Sequence, residues 1–181
     1  RNGIEQIRLD TRRYGMGDMQ LNAGRQIRSS GHFSYSIWAG IKLPTGDSDK
    51  LTGSGAADIS LWNAARKKLN EKWQVYGTAG LLLPGEGEVL PDQQEDTVFF
   101  GSIGTQWRHW RSATVKVQLE WHTGFYKDTN ARLLGDVLQL TFGVDWEISP
   151  NLYFDFSIAE DIKEEASPDV NFHFTLRMRH N

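Results

Sequence analysis

Residues 113–122, ATVKVQLEWH, show the pattern that decides the fold. Val115, Val117, Leu119 and Trp121 alternate with polar or charged residues, so one face of this segment is apolar and the other is polar. A period of two indicates a β-strand between two different surroundings, because successive side chains point to opposite faces. Soluble strands average about 5–6 residues, whereas a tilted strand that crosses a bilayer needs about 9–11. The ten residues of this segment are therefore long enough for a membrane strand.

The same alternation recurs along most of the chain. It is clear in residues 33–43, 73–83, 138–146, 152–158 and 172–178, and noisier in residues 18–28, 57–67 and 97–108. A further, frayed strand is expected near residues 3–10. We therefore predict a single all-β domain spanning residues 1–181, with about ten antiparallel strands.

The connections between these segments alternate in length. Short turns (SSGH, KLNE, HWRS, SPN) are interleaved with long polar stretches such as PTGDSDKLTGSGA and PGEGEVLPDQQED. Short turns on one side and long loops on the other are typical of an up-and-down transmembrane β-barrel of the outer membrane. The pattern predicts such a barrel, with ten to twelve strands in the full protein. Periplasmic short turns would place the C-terminus in the periplasm.

Composition excludes several classes of protein. The formal net charge of -3 offers no basic surface for nucleic acid. The absence of cysteine excludes disulfides and thiolate metal sites. The mean hydropathy is -0.51, and no apolar run approaches the ~20 residues of a transmembrane helix.

The strand phase assigns charged side chains to the polar, inward face. A charge facing lipid at the bilayer midplane would cost about 2–4 kcal/mol, whereas inside a barrel it can pair and stay hydrated. Arg25 is the exception, since it shares a face with apolar residues near a short turn, where it could snorkel. Hairpin geometry predicts Asp155 roughly opposite Arg177. The expected lumen set, either a salt-bridged plug or a selectivity ring, is Lys42, Arg66, Lys116, Glu120, His122, Asp145, Asp155, Arg177 and Arg179.

Aromatic residues cluster at strand ends. An interfacial ring places its apolar body in hydrocarbon and its N–H or O–H among headgroups. Trp73, Trp107, Trp146 and Tyr153 fall beside short turns, and Trp121 falls toward a long loop. We predict two belts of interfacial aromatics from these positions.

The stretch KLPTGDSDKLTGSGAADISLW, residues 42–62, contains a distinctive loop motif. It matches neither a phosphate-binding loop nor a complete calcium loop, because the required Lys-Ser/Thr pair and the closing Glu are missing. We predict a solvent-exposed outer loop and expect no metal and no cofactor. The motif residues are Pro44, Thr45, Gly46, Asp47, Asp49, Gly53, Ser54, Gly55 and Asp58.

Two alternative functions remain open. His122 and Glu120 lie near the outer end of one strand, with Ser54 or Ser102 as conceivable nucleophiles, which suggests a lipid-modifying barrel enzyme. No nucleophile motif or oxyanion hole marks such a site. The second alternative is a soluble lipocalin-like barrel with its Phe and Trp side chains turned inward to a ligand.

The runs GIKLPTGDSDKLTGSGAADISLW and WQVYGTAGLLLPG resemble an uncharacterised family of Gram-negative outer-membrane β-barrels, known as a domain of unknown function. They are also similar to the outer-membrane family of phenol meta-pathway operons, in the strand–PTG–GxG–strand hairpin. The resemblance implies a Gram-negative outer-membrane location and brings no catalytic residues. Longer members of these families imply an N-terminal portion before this stretch.

The expected function is a narrow, porin-like pore or uptake channel for small molecules, hydrophobic ones among them, or a structural barrel without enzyme activity. The expected partners are membrane lipid and lipopolysaccharide, the barrel-assembly machinery and an unidentified small-molecule solute. Nucleic acid is not expected.

Overall fold

The computed structural model describes residues 15–48, 50, 52–87, 91–127, 135–162 and 170–179. A single 3-10 turn, Pro91–Gln93, is the one helical segment in these ranges, and it is neither long nor apolar enough to cross a membrane. The strands are β1 (Met19–Ser29), β2 (Phe33–Leu43), β3 (Asp58–Lys68), β4 (Trp73–Leu83), β5 (Val98–Trp107), β6 (Ala113–His122), β7 (Val137–Ser149), β8 (Leu152–Asp161) and β9 (Val170–Met178).

The nine strands form one antiparallel sheet in which every strand pairs with its neighbours in the sequence. Within the described residues β1 and β9 do not pair, so the expectation of a closed barrel is wrong for this part of the chain. The physical reason lies in strand direction. In an up-and-down sheet the first and ninth strands run the same way, and antiparallel closure needs an even number of strands. The strand expected near residues 3–10 lies outside the described residues.

The predicted alternation of short and long connections is confirmed. The turns at 30–32, 69–72, 108–112 and 150–151 are short, whereas 44–57, 84–97 and 123–136 each contain 14 residues. The last long connection, 162–169, has eight residues. All short turns therefore lie at one end of the sheet, the short-turn end, and all long connections lie at the other, the long-loop end.

The cross-strand register divides the side chains into two faces. Leu119, for example, lies opposite Ile103 and Leu140, whereas Gln118 lies opposite Gly104 and Thr141. The sheet therefore has a polar face and an apolar face. Central members of the apolar face are Leu21, Ile37, Leu61, Ala79, Ile103, Leu119, Phe142, Phe156 and Phe174.

The polar face is concave. Tyr76 on β4 and His173 on β9 line the same cavity of about 270 Å³, together with Lys116 and Asp155. On a flat sheet the five strand spacings between β4 and β9 would separate these residues by about 24 Å. The sheet must therefore curl around its polar face, which leaves the apolar face convex.

The apolar face is exposed. Ile103 and Phe174 are each 66% exposed, and Leu61 is 47% exposed. Among the described residues only three apolar side chains are buried: Ala56, Val98 and Ala159. A soluble domain of this size would bury a contiguous apolar core. Here most of the apolar surface faces outward from the sheet.

Two irregularities shift the register beside short turns. The pairing of β1 with β2 slips between Gln26 and Arg28, so that Arg28 lies opposite Tyr35. The pairing of β7 with β8 slips between Glu147 and Ser149. Each slip leaves one extra residue on one strand, which is the signature of a β-bulge and sharpens the local twist.

Asp155, expected roughly opposite Arg177, is displaced from it by two residues. Asp155 lies opposite Thr175, and Arg177 lies opposite Tyr153. The offset arises because the length of a long connection does not determine the register of the strands it joins, whereas the turn of a tight hairpin does.

Candidate functional site

The predicted lumen charges all fall on the polar face or at its ends, but they do not form one network. Arg66 lies opposite Ser34 and Tyr76, and Arg179 follows the end of β9. Lys42 joins a cluster at the long-loop end, and Glu120 and His122 line a cavity near that end without an ion pair to the other predicted charges in the described residues. The remaining four, Lys116, Asp145, Asp155 and Arg177, form the central ion network.

The central ion network joins four strands across the polar face. The Lys116 Nζ lies 2.5 Å from Asp145 Oδ1 and 3.0 Å from Asp155 Oδ2. The Arg177 Nη2 lies 3.6 Å from the same Asp145 oxygen. One lysine thus stands between two carboxylates that lie directly opposite each other on β7 and β8. Without that cation the adjacent carboxylates would repel each other.

A row of cavities follows the polar face from end to end. At the short-turn end a cavity of about 590 Å³ reaches Asp145, and the cavity that contains Tyr76 and His173 begins at Lys116 and Asp155. That second cavity shares Glu120 and Gln139 with a third, of about 490 Å³, near the long-loop end. The central ion network therefore interrupts a polar tract that is otherwise open along the sheet.

The residues considered for catalysis are close but not connected. Ser102 lies opposite Glu120, and both line one cavity with His122. The Ser102 hydroxyl hydrogen-bonds to Thr78 Oγ1 at 2.8 Å, and His122 Nδ1 lies 2.9 Å from the Thr123 carbonyl oxygen. No hydrogen bond joins Ser102, Glu120 and His122 in the described residues. Ser54 lies in the loop motif, where its Oγ is 2.5 Å from Lys42 Nζ.

Four side chains at the long-loop end form what we call the loop clip: Asp18, Lys42, Ser54 and Asp58. The Lys42 Nζ lies 2.6 Å from Asp58 Oδ2 and 3.5 Å from Asp18 Oδ2. The two Asp18 oxygens accept hydrogen bonds from the backbone N–H groups of Gly46, at 2.9 Å, and Ser54, at 3.1 Å. The clip fastens both arms of the 44–57 loop to the start of β1.

Asp18 lies just outside β1, and the loop clip alters its acidity. The backbone N–H groups of Gly46 and Ser54 stabilise its ionised form and hold the pKa of the carboxyl below the ordinary value of 3.8. The Lys42 ammonium acts in the same direction, and partial burial opposes it. The carboxylate is therefore the form that holds the loop.

The other motif residues shape the loop itself. Pro44 follows the last residue of β2 and ends the strand, since proline has no N–H to donate to a ladder. Thr45 Oγ1 accepts a hydrogen bond from Met19 N at 2.8 Å. Asp47 forms a local ion pair with Lys50 at 2.5 Å. Gly55 has φ of 76°, a left-handed conformation that glycine adopts without strain. Asp49 lies outside the described residues.

Two glycines of the motif are required by close approach of the two loop arms. A Cβ atom on Gly46 would lie 2.7 Å from the Cα of Gly53, and one on Gly53 would lie 2.5 Å from Asp18 Oδ1. A side chain at Gly46 would force the two loop arms apart, and one at Gly53 would also collide with the Asp18 carboxylate. The unusual glycine content of the loop is thus explained by the loop clip.

The predicted aromatics lie at the expected ends of the sheet. Trp73 stacks on Trp107 at the short-turn end, with ring centroids 5.6 Å apart, and both belong to the apolar face. Trp146 and Trp121 also belong to that face, near a short turn and a long loop respectively. Tyr153 departs from the prediction, because the register places it on the polar face opposite Glu147 and Arg177.

Sequence reasoning missed three groups of residues. Trp38 and Trp62 stack on the polar face at 5.9 Å, and the strand phase of Trp38 with Ser36 and Lys42 already contained that signal. Asp18 gave no signal, because its partners are 28 and 36 residues away. The turn residues Arg108 and Arg111 line the cavity at the short-turn end, and an isolated turn sequence does not reveal a cavity.

Among the described residues no group of three or more His, Asp and Glu side chains could hold a metal ion. The acidic residues of the loop clip are instead occupied by Lys42 and by backbone N–H groups, as Asp58 Oδ1 is by Gly85 N at 3.2 Å.

The chain belongs to the family described as "Protein of unknown function (DUF3187)", whose model matches residues 1–180. No curated protein matches this chain.

Proposed function

We propose that the sheet forms the wall of an outer-membrane β-barrel of a Gram-negative bacterium, with the polar face lining a narrow passage for small molecules. The observation that carries the proposal is the exposed apolar face. Strands of 9–13 residues present apolar side chains outward, while most of the charged side chains in the strands lie on the concave side. Strands of this length can cross the ~25 Å apolar band of an outer membrane.

A membrane location also accounts for the tryptophans at the ends of the apolar face. Trp73, Trp107 and Trp146 lie on the apolar face beside the short turns, at the level where a girdle would meet headgroups. Under this proposal the short turns and the end of β9 face the periplasm, and the long loops meet lipopolysaccharide. A soluble lipocalin-like barrel would turn its apolar side chains inward instead.

The proposal requires that the edges of β1 and β9 be covered in the membrane. An unsatisfied backbone N–H or C=O in hydrocarbon costs several kcal/mol, so an open edge is not stable there. A partner strand outside the described residues, or a second copy of the sheet, would supply hydrogen bonds to these edge groups. Insertion of such a sheet implies dependence on the barrel-assembly machinery.

A first experiment tests the membrane location. The full-length protein, expressed with a signal peptide, is expected in the outer-membrane fraction, with a gel mobility that changes on heating. Recovery as a soluble protein without detergent would refute the proposal.

A second experiment tests whether ions pass along the polar face. The purified chain, reconstituted in planar bilayers, is expected to conduct ions weakly, because the central ion network narrows the tract. Lys116→Gln leaves Asp145 and Asp155 without their shared cation and is expected to shift the reversal potential in a KCl gradient toward cation selectivity.

Lys67→Gln is the matched control for Lys116→Gln. It removes the same charge from the apolar face, where Lys67 lies opposite Phe33 and Val75, and it is expected to leave selectivity unchanged. A folded, membrane-inserted chain that never conducts would contradict the passage and leave a structural barrel.

A further inference from the structure

Positive charge is concentrated at the short-turn end of the polar face. The cavity of about 590 Å³ there is lined by Arg108, Arg111, Arg177 and Arg179, with Asp145 and Glu147 as its acidic members. An adjoining cavity of about 380 Å³ shares Arg108 and adds Lys68, Lys72 and Glu71. Six cations thus face three carboxylates in a chain whose formal net charge is -3. We call these two spaces together the basic cavity.

Most of these cations have no counter-ion. Within the part of the chain that the structure describes, Arg108, Arg111 and Arg179 form no ion pair, and Arg177 has only the 3.6 Å contact with Asp145. Asp145 is in turn compensated by Lys116 at 2.5 Å. Among the described residues the surplus positive charge is therefore not neutralised by ion pairs. Unpaired cations around a concave space attract anions, since a cleft focuses the electrostatic potential.

The chemistry of the lining suits an oxyanion. Guanidinium groups present planar forks of N–H donors that match phosphate and carboxylate oxygens. The Ser112 and Thr114 hydroxyls line the same space as further donors. A surplus of three positive charges is better matched by a multiply charged phosphate than by a single carboxylate. The volume is within the ~300–1,000 Å³ of typical ligand sites.

We propose that the basic cavity binds a phosphate-bearing anion at the short-turn end of the polar face. The phosphate group is the shared chemistry of two sources, a free phosphorylated solute and the headgroup of an anionic phospholipid. This inference does not depend on the sheet forming a passage, because binding is measured directly.

The test has two arms that separate the sources. In the first, the full-length chain in non-ionic detergent is titrated with inorganic pyrophosphate by calorimetry. In the second, the chain is titrated with vesicles of phosphatidylglycerol and, separately, of phosphatidylcholine. Saturable binding of pyrophosphate identifies a free phosphate ligand. A preference for phosphatidylglycerol without pyrophosphate binding identifies a lipid headgroup.

Variants then locate the binding. Arg111→Gln is expected to weaken it about two- to fivefold, as for an exposed charge pair, and Arg108→Gln with Arg111→Gln to weaken it further. Glu147→Gln removes an opposing charge and is expected to strengthen it. Lys127→Gln, the control in both arms, makes the same charge change at the long-loop end. Arg25→Gln, on the apolar face, is a second control in the pyrophosphate arm.

Two results would overturn the proposal. One is the absence of binding to both pyrophosphate and phosphatidylglycerol by the folded chain. The other is a control variant that weakens binding as much as Arg111→Gln, since the attraction would then come from net charge and not from the cavity. Circular dichroism of each variant verifies that the β-sheet content is retained.

Discussion

At the scale of single residues, the polar face is built by setting glycines against aromatic rings. Gly80 lies directly opposite Trp62, and a Cβ atom there would lie 2.5 Å from the Trp62 Cβ and 2.6 Å from the Leu61 carbonyl oxygen. The large ring lies across the position where its neighbour has no side chain. The same pairing occurs at Gly24 with Trp38 and at Gly104 with Tyr76.

Gly80→Ala is therefore expected to destabilise the sheet by about 1–3 kcal/mol, because the added methyl group meets backbone as well as ring atoms. The measurement is denaturant unfolding in detergent. Gly31→Ala is the control, since a Cβ atom at Gly31 meets nothing within 4 Å. Equal stability of the two variants would show that the aromatic ring shifts aside freely.

At the scale of elements, the loop clip links the 44–57 connection to the start of β1. Lys42 is the penultimate residue of β2 and lies opposite Asp58, the first residue of β3, so their ion pair closes the base of the loop. Asp18 then holds the two arms together through backbone N–H groups. The clip orders a connection that is long enough to be mobile by itself.

The loop clip predicts that the stability of the 44–57 loop depends on pH. The pKa of Asp18 is lowered in the folded state, so its stabilising effect is fully present above 3.8 and is lost as the pH falls through the lowered value. Asp18→Asn is expected to lose hydrogen-exchange protection in the 44–57 loop at neutral pH. The difference in hydrogen-exchange protection between the wild type and Asp18→Asn is expected to vanish once the Asp18 carboxyl is protonated.

Asp47→Asn is the control for the Asp18 variant, because Asp47 pairs with Lys50 within the loop and does not reach β1. It is expected to change protection much less at neutral pH. A wild-type advantage over Asp18→Asn that persists at low pH would contradict the role of the ionised carboxyl.

At the scale of the whole molecule, the two faces of the sheet differ in what they require. The apolar face leaves its side chains exposed, since few apolar side chains in the described residues are buried within the protein, and the proposed membrane location would cover them with lipid. The polar face instead satisfies its charges across strands, through the central ion network.

Adjacent residues of β7 test this difference. Phe142 is 51% exposed on the apolar face, and Thr141 lies on the polar face opposite Gln118 and Ala159. Phe142→Arg would place a charge in lipid at a cost of about 2–4 kcal/mol near the midplane, whereas Thr141→Arg would not. We expect a lower yield of heat-modifiable, vesicle-inserted protein only for Phe142→Arg. Equal yields would argue against burial of the apolar face in lipid.

The sequence by itself determined the strands, their inward and outward phase, and the alternation of short and long connections. These features are local, because a strand displays a period of two and a turn displays its own length and composition. Lys116 and Leu119 could therefore be assigned to opposite faces without coordinates.

Only the tertiary structure decided which of these residues meet. Lys116, Asp145 and Asp155 come from three strands, and Asp18 finds its partners across 28 and 36 residues. The long connection between β8 and β9 left their register undetermined, which displaced Asp155 from Arg177 by two residues. The tertiary structure also showed that β1 and β9 are the edge strands of the described sheet. Strand pairing depends on hydrogen bonds between distant segments, which no local pattern specifies.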